Sequence, residues 1–196
     1  VLKNLLTRNL RNAPIRWGLT GTVPKEKFEF ESIHASLGPV IGQISAKELQ
    51  DKGVLSQCHV NVCQLIDTVA HRDYQSELKY LTTDTKRLEY VGKLLNTVKD
   101  SGNTLILVDR ISAGQALAEL IPNSTFVSGA VKNKDRKETY DTIREGTNEV
   151  IIATYGVAAV GINIPRIFNL VLLEPGKSFV RVIQSIGRGV RIAKDK

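Results

Sequence analysis

Methionine is missing from this 196-residue chain, which carries only two cysteines and one tryptophan. Opening on Val1 with no methionine anywhere, it reads as an internal piece of a longer protein. Two cysteines are too few for a disulfide-stapled scaffold. Cys58 and Cys63 fall in a run of β-forming residues, 58–66, where an odd spacing sends side chains to opposite faces of a strand, so no local disulfide is expected. His59 and His71 stand nearby, but paired C-x-x-C spacing is lacking and small buried thiols suit a sheet, so no metal site is expected either. No apolar run approaches the roughly 20 residues that span a bilayer, and no basic-then-apolar leader opens the chain. A cytoplasmic protein with no membrane partner is the expectation. Also absent are G-x-x-x-x-G-K-[ST] and an adjacent Asp-Glu pair, which excludes a phosphate loop and a metal-binding carboxylate box of the chain's own.

What is present suits a packed fold. Hydrophobic residues make up 42% and charged residues 24%, enough for one compact domain with a piece of another attached. Lys+Arg 27 against Asp+Glu 20 gives a formal charge of +7. That balance favours anionic partners such as nucleic acid or nucleotide phosphates, although a basic surface kept for solubility accounts for it equally well. Neither a tandem repeat nor a low-complexity tract is found, which argues against a solenoid or a disordered tail.

Leu2, Leu5, Leu6 and Leu10 recur at helical spacing up to Pro14, and residues 15–19 then read as a strand running into Thr20-Gly21-Thr22. Residues 25–37 read as a helix that Gly38-Pro39 ends, so the best domain boundary lies near Gly38. The expected organisation is 1–37 as the end of one domain, 38–60 as connecting elements and 61–196 as the main domain. Leu88, Val91, Leu95 and Val98 mark the apolar seam of a long helix, followed by a strand over 104–108. Ser112-Ala113-Gly114-Gln115 has the form of a capping box opening a helix with Ala113, Ala116, Leu117, Leu120 and Ile121 on one face. Further strands are predicted at 125–127, 150–153 and 170–173, and a further helix at 135–144. Apolar strands alternating with amphipathic helices imply an α/β fold, a doubly wound parallel sheet covered on both faces.

Ligands of such sheets collect beyond the carboxyl ends of the strands, which directs attention to the loops after Val108, Val127, Ala153 and Leu173. After Ala153, Thr154-Tyr155-Gly156 and then Gly161-Ile162-Asn163-Ile164-Pro165 bring together a hydroxyl, an amide and glycines that permit close backbone approach to phosphate. An ordinary strand-to-helix turn, with Thr154 as cap and Gly161 as stop signal, explains the same residues equally well. Near the end, Phe179, Val182, Ile183 and Ile186 share one helical face, while Arg181, Gln184, Arg188 and Arg191 share another. Gly187 and Gly189 each cost such a helix roughly 1 kcal/mol relative to alanine, which suggests close packing against a ligand or another domain. Arginine fits phosphate because its planar, always-charged fork donates two parallel hydrogen bonds to oxyanions, whereas lysine offers a point charge. A glycine-interrupted Gln-x-x-Gly-Arg-x-x-Arg is therefore the most informative pattern in the chain.

Gln184-Ser185-Ile186-Gly187-Arg188-Gly189-Val190-Arg191 resembles motif VI of the superfamily-two helicases, and residues 152–154 through 161–165 resemble their motif V. Leu105-Ile106-Leu107-Val108 resembles motif IV, Ser128-Gly129 the strand-end motif after it, and Leu19-Thr20-Gly21-Thr22 motif III, all in the expected order. Within that superfamily the chain is most similar to the XPB-like and RecG-like DNA helicases. The resemblance implies a second RecA-like domain preceded by a remnant of the first. It also implies an ATP-dependent helicase or translocase acting on branched DNA or RNA:DNA hybrids in recombination and repair. ATP with Mg2+ would bind between two RecA-like domains, with the metal's ligands in the first RecA-like domain, most of which this chain lacks. Arg188 and Arg191 would reach the γ-phosphate, Gln184 would help position them, and Gly161 and Asn163 would lie near the ribose and the catalytic water. Thr154, Ser128 and Gly129 would touch the backbone of the tracking strand, while Thr20, Gly21 and Thr22 would couple hydrolysis to movement. Two residues depart from the family pattern: Asn163 stands where many relatives have aspartate, and Ile143 where many have phenylalanine. An amide still hydrogen-bonds a ribose hydroxyl, but not as an anion. By the same resemblance the chain alone is expected to be inactive. The rivals are a non-catalytic nucleic-acid-binding α/β module and a small-molecule phosphotransferase, the latter disfavoured by the missing phosphate loop.

Overall fold

The computed structural model describes residues 4–129, 141, 146–161, 166–173 and 178–192. The helix expected over 135–144, apart from Asp141, lies outside the described residues, as do Ile143 and Asn163. The chain divides into two compact units, Val1–Lys52 and Gly53–Lys196.

In the first unit a π-helical turn over Leu5–Asn9 precedes α1 (Lys27–Leu37) and α2 (Ala46–Asp51). A reciprocal capping box opens α2: the Ser45 hydroxyl accepts the Glu48 N–H at 3.1 Å, and the Glu48 carboxylate accepts the Ser45 N–H at 2.8 Å. The backbone and hydroxyl bonds from Ser45 hold the Glu48 carboxyl below its usual range. The strand expected over 15–19 does not form; Ile15, Trp17 and Leu19 are 73%, 83% and 97% exposed. A strand needs a neighbour to bond its N–H and C=O groups, and this unit contains no other strand among the described residues.

In the second unit, residues 58–66 are likewise irregular rather than a strand, with Cys58 and Cys63 exposed instead of packed in a sheet. β-forming residues realise that preference only when a sheet neighbour packs against them. Two helices follow, α3 (Tyr74–Thr83) and α4 (Thr85–Val98). The first of them arises from a stretch with no clear apolar period. Its start is fixed instead by Asp73, whose carboxylate accepts the Ser76 N–H at 2.8 Å while its own N–H donates to the Ser76 hydroxyl at 3.2 Å. Asp84 caps α4 by accepting the Arg87 N–H at 2.8 Å.

Strands β1 (Thr104–Val108), β2 (Ser124–Val127), β3 (Val150–Thr154) and β4 (Asn169–Leu172) pair in parallel in the order β2-β3-β1-β4. Between and after them run α5 (Ile111–Leu120), α6 (Tyr155–Gly161) and α7 (Phe179–Gly189). Alternation along the strands sorts the core into two layers. Leu105, Leu107, Ile151 and Ala153 pack with Val157 and Ala158 of α6. Ile106, Val108, Val150 and Ile152 pack with Leu88, Val91 and Leu95 of α4 and Leu117 of α5. The sheet is thus covered on both faces, the doubly wound arrangement that the sequence implies, and β1 at its centre is buried throughout.

Ser112 does not cap α5. The helix already begins at Ile111, with Arg110 as its N-cap and no side-chain cap bond, so the expected capping box does not form. Gly114 of the same helix lies so close to β2 that an added methyl group would stand 2.2 Å from the Phe126 ring. Gly114→Ala is therefore expected to destabilise this unit by about 1–3 kcal/mol, the usual range for overpacking. Urea unfolding would register it as a lower midpoint; an unchanged midpoint would mean that the ring moves aside freely.

Candidate functional site

The carboxyl ends of the four parallel strands share one edge of the sheet, and the registers fix which residues stand level there. Val108 is paired with Thr154, Val127 with Ala153, and Leu107 with Leu172. Ser128, Thr154, Val108 and Leu173 therefore form one row across the end of the sheet. Ser128 is 6% exposed and Gly129 beside it is exposed, so the turn after β2 offers backbone rather than side chain to an incoming group. Thr154, the last residue of β3, is half-buried.

Gly161 is the last residue of α6. On α7, Gln184 is exposed and Ser185 is buried, as expected of a helix with one polar and one packed face. Arg188 lies in the last turn of the same helix. Gly189 is explained by the sheet under it, because a methyl group there would stand 3.3 Å from Cβ of Leu170 on β4. That corrects the expectation of a ligand or another domain at this position. Gly187, by contrast, is exposed and has open space around it.

Arg191 falls beyond α7, half-buried, and its backbone makes an antiparallel bridge with Leu55. The Ser56 N–H donates to the Val190 carbonyl at 2.9 Å and the Ser56 hydroxyl to the Arg191 carbonyl at 3.3 Å. Sequence reasoning missed this seam, since nothing in the local pattern of 55–56 announces a partner so far along the chain. It also missed Tyr155 as an individual residue, whose phenol donates to the Leu173 carbonyl at 3.0 Å.

Thr20, Gly21 and Thr22 belong to the first unit; Thr20 and Gly21 are exposed and Thr22 is half-buried. The Thr20 hydroxyl accepts the Thr22 N–H at 3.1 Å and donates to the Thr22 carbonyl at 3.0 Å, which closes the loop on itself. The clearest electrostatic perturbation lies elsewhere. A hydrogen bond from the Tyr80 hydroxyl to Asp67 pushes that phenol up to about 12 and holds the carboxyl below its usual range. Among the described residues no group of His, Cys, Asp and Glu is arranged to hold a metal ion, and no helix is long and apolar enough to cross a membrane.

Set beside known proteins, residues 86–193 match the helicase conserved C-terminal domain. The chain is 25% identical over 193 residues to the ATP-dependent DNA helicase uvsW of Enterobacteria phage T4, covering 93% of this chain and 38% of that protein. It is 27% identical over 167 residues to the pre-mRNA-splicing ATP-dependent RNA helicase PRP28 of Debaryomyces hansenii, covering 79% of this chain and 28% of that one. The crystal structure of T4 UvsW superposes with a TM-score of 0.52 at 30% identity over 60% of this chain and 25% of the other. The sheet and its helices are thus of the α/β RecA-like kind. The chain spans well under half the length of either sequence relative.

Proposed function

This chain belongs to the helicase conserved C-terminal domain family of superfamily-two helicases, and from that premise we propose that it is the arginine-bearing half of an ATP-dependent DNA helicase or translocase. In this reading residues 1–37 are the end of a first RecA-like domain, 38–60 are connecting elements and 61–196 are the second RecA-like domain. Branched DNA or an RNA:DNA hybrid is the proposed substrate. DNA is preferred to RNA because the DNA helicase relative covers 93% of the chain and the RNA helicase relative 79%.

The observation that carries the reading is the row of Ser128, Thr154, Val108 and Leu173 at the carboxyl edge of the sheet, with α7 following that edge. Ser128, Gly129 and Thr154 offer backbone groups and a hydroxyl to the phosphates of one strand, contacts that hold any base sequence. Arg188 and Arg191 are the residues suited to the γ-phosphate, because guanidinium forks pair with oxyanions. Gln184 steadies them, and Gly161 and Asn163 serve the sugar and the attacking water. Bound ATP would supply the phosphoryl group that passes to water, and Mg2+ would be held by residues of the first domain. Arginines reaching in from this domain stabilise charge as it develops on that group. Thr20, Gly21 and Thr22, as the loop of the other domain, pass the change on to strand movement.

ATP turnover by the protein that joins this chain to a first RecA-like domain should rise when single-stranded, forked or four-way DNA is added. Turnover indifferent to every nucleic acid tested would remove the reading. The chain by itself should bind single-stranded DNA weakly and without base preference. Its affinity should fall as salt rises, with a log–log slope of roughly −0.7 for each phosphate neutralised. A base-specific affinity that salt leaves unchanged would contradict the proposal.

A further inference from the structure

Tyr155 follows Thr154 directly and opens α6. The residue is 4% exposed, packed in the layer that contains Leu105, Leu107 and Ile151. Phenylalanine would fill that space as well, so the hydroxyl calls for its own explanation. A buried hydroxyl is unfavourable unless it is hydrogen-bonded, and this one donates to the Leu173 carbonyl at 3.0 Å.

The sheet order makes the bond unusual. β1 lies between β3 and β4, so the backbones joined by this side chain are roughly 9–10 Å apart at ordinary strand spacing. The Leu173 N–H donates to Leu107 of β1 at 2.9 Å, and the N–H and C=O of one strand residue face the same neighbour. Its carbonyl therefore faces β1 as well, where the strand ends at Val108. Past that end the tyrosine supplies the donor, reaching over the tip of β1. Leu173 is thereby held by both of its backbone groups, and α7 begins at Phe179 shortly after it.

We infer that Tyr155 is a positioning residue that ties the nucleic-acid contact at Thr154 to the end of β4, the strand against which Gly189 of α7 packs, and through it to the arginines of the ATP site. The inference rests on the function proposed above. One peptide unit separates Thr154 from Tyr155, so a displacement of the backbone at the end of β3 is carried by a rigid ring to the carbonyl of Leu173. Removal of the hydroxyl leaves the aromatic ring in place and removes its bond to the Leu173 carbonyl.

The test uses the two-domain protein with ATP and a single-stranded DNA oligonucleotide. Tyr155→Phe is expected to lower DNA-stimulated kcat about tenfold, the rate equivalent of about 1.4 kcal/mol, with KM for ATP and DNA affinity near parental values. Tyr90→Phe, an exposed tyrosine on α4, is the control and should leave stimulated turnover unchanged. A merely structural tyrosine would lower Tm and leave the ratio of stimulated to unstimulated turnover intact, and that result overturns the inference. Loss of DNA affinity equal to the loss of kcat overturns it too. If Arg191→Ala hydrolyses ATP like the parent, the underlying function falls; if Arg191→Ala is inactive and Tyr155→Phe is unaltered, only the positioning role does.

Discussion

Arg191→Ala, in the protein that pairs this chain with a first RecA-like domain, is expected to abolish nucleic-acid-stimulated ATP hydrolysis while sparing much of the DNA binding. An arginine finger contributes roughly 10³ to 10⁵ in rate, about 4 to 7 kcal/mol of barrier, far more than a surface charge contributes to affinity. Arg191→Lys should restore little, because it keeps the charge but loses the planar two-donor fork. Arg188→Ala should resemble Arg191→Ala. Arg181→Ala, a basic residue of α7 outside the motif, should retain most activity. Near-parental hydrolysis by Arg191→Ala, or an equal decline in all three alanine variants tracking lost DNA affinity, would defeat the assignment.

The second large effect is an absence of turnover. The purified chain alone should hydrolyse ATP no faster than buffer, with or without DNA. Its sequence contains no phosphate loop and no adjacent Asp-Glu pair, and without the phosphate cradle and Mg2+ the arginines have no developing charge to stabilise. Robust turnover that follows the protein through successive columns would require a complete catalytic site within these residues. The phosphotransferase reading would then be revived.

The parts of the fold legible in the sequence are those whose burial is decided locally. β1 was readable because all five of its residues are buried apolar or β-forming types, and α4 because Leu88, Val91 and Leu95 repeat at helical spacing. Two kinds of element escaped. Residues 15–19 and 58–66 have the composition of strands, but composition cannot reveal whether a neighbouring strand exists, and none accompanies them among the described residues. Conversely α3 was hidden because its start depends on Asp73 and Ser76 bonding each other's backbone rather than on an apolar stripe. At the site, the strand-end loops were legible from the alternation of strands and helices. The bond from Tyr155 to Leu173 was not, since it depends on a strand order that no local pattern encodes.

The seam at Ser56 has a kinetic consequence. Its hydroxyl and the Arg191 carbonyl are separated by 135 residues, and closing a loop of that length costs about 2 kcal/mol more than closing one of ten residues. Contacts so distant in sequence form late, once the intervening core exists to hold the ends together. They also open at lower free energy than the β1–β3 ladder, which is buried and continuous. Amide hydrogen exchange at Ser56 should accordingly outpace exchange at Ile106. The arginine-bearing segment is thus fastened by a latch that is expected to open before the sheet itself comes apart.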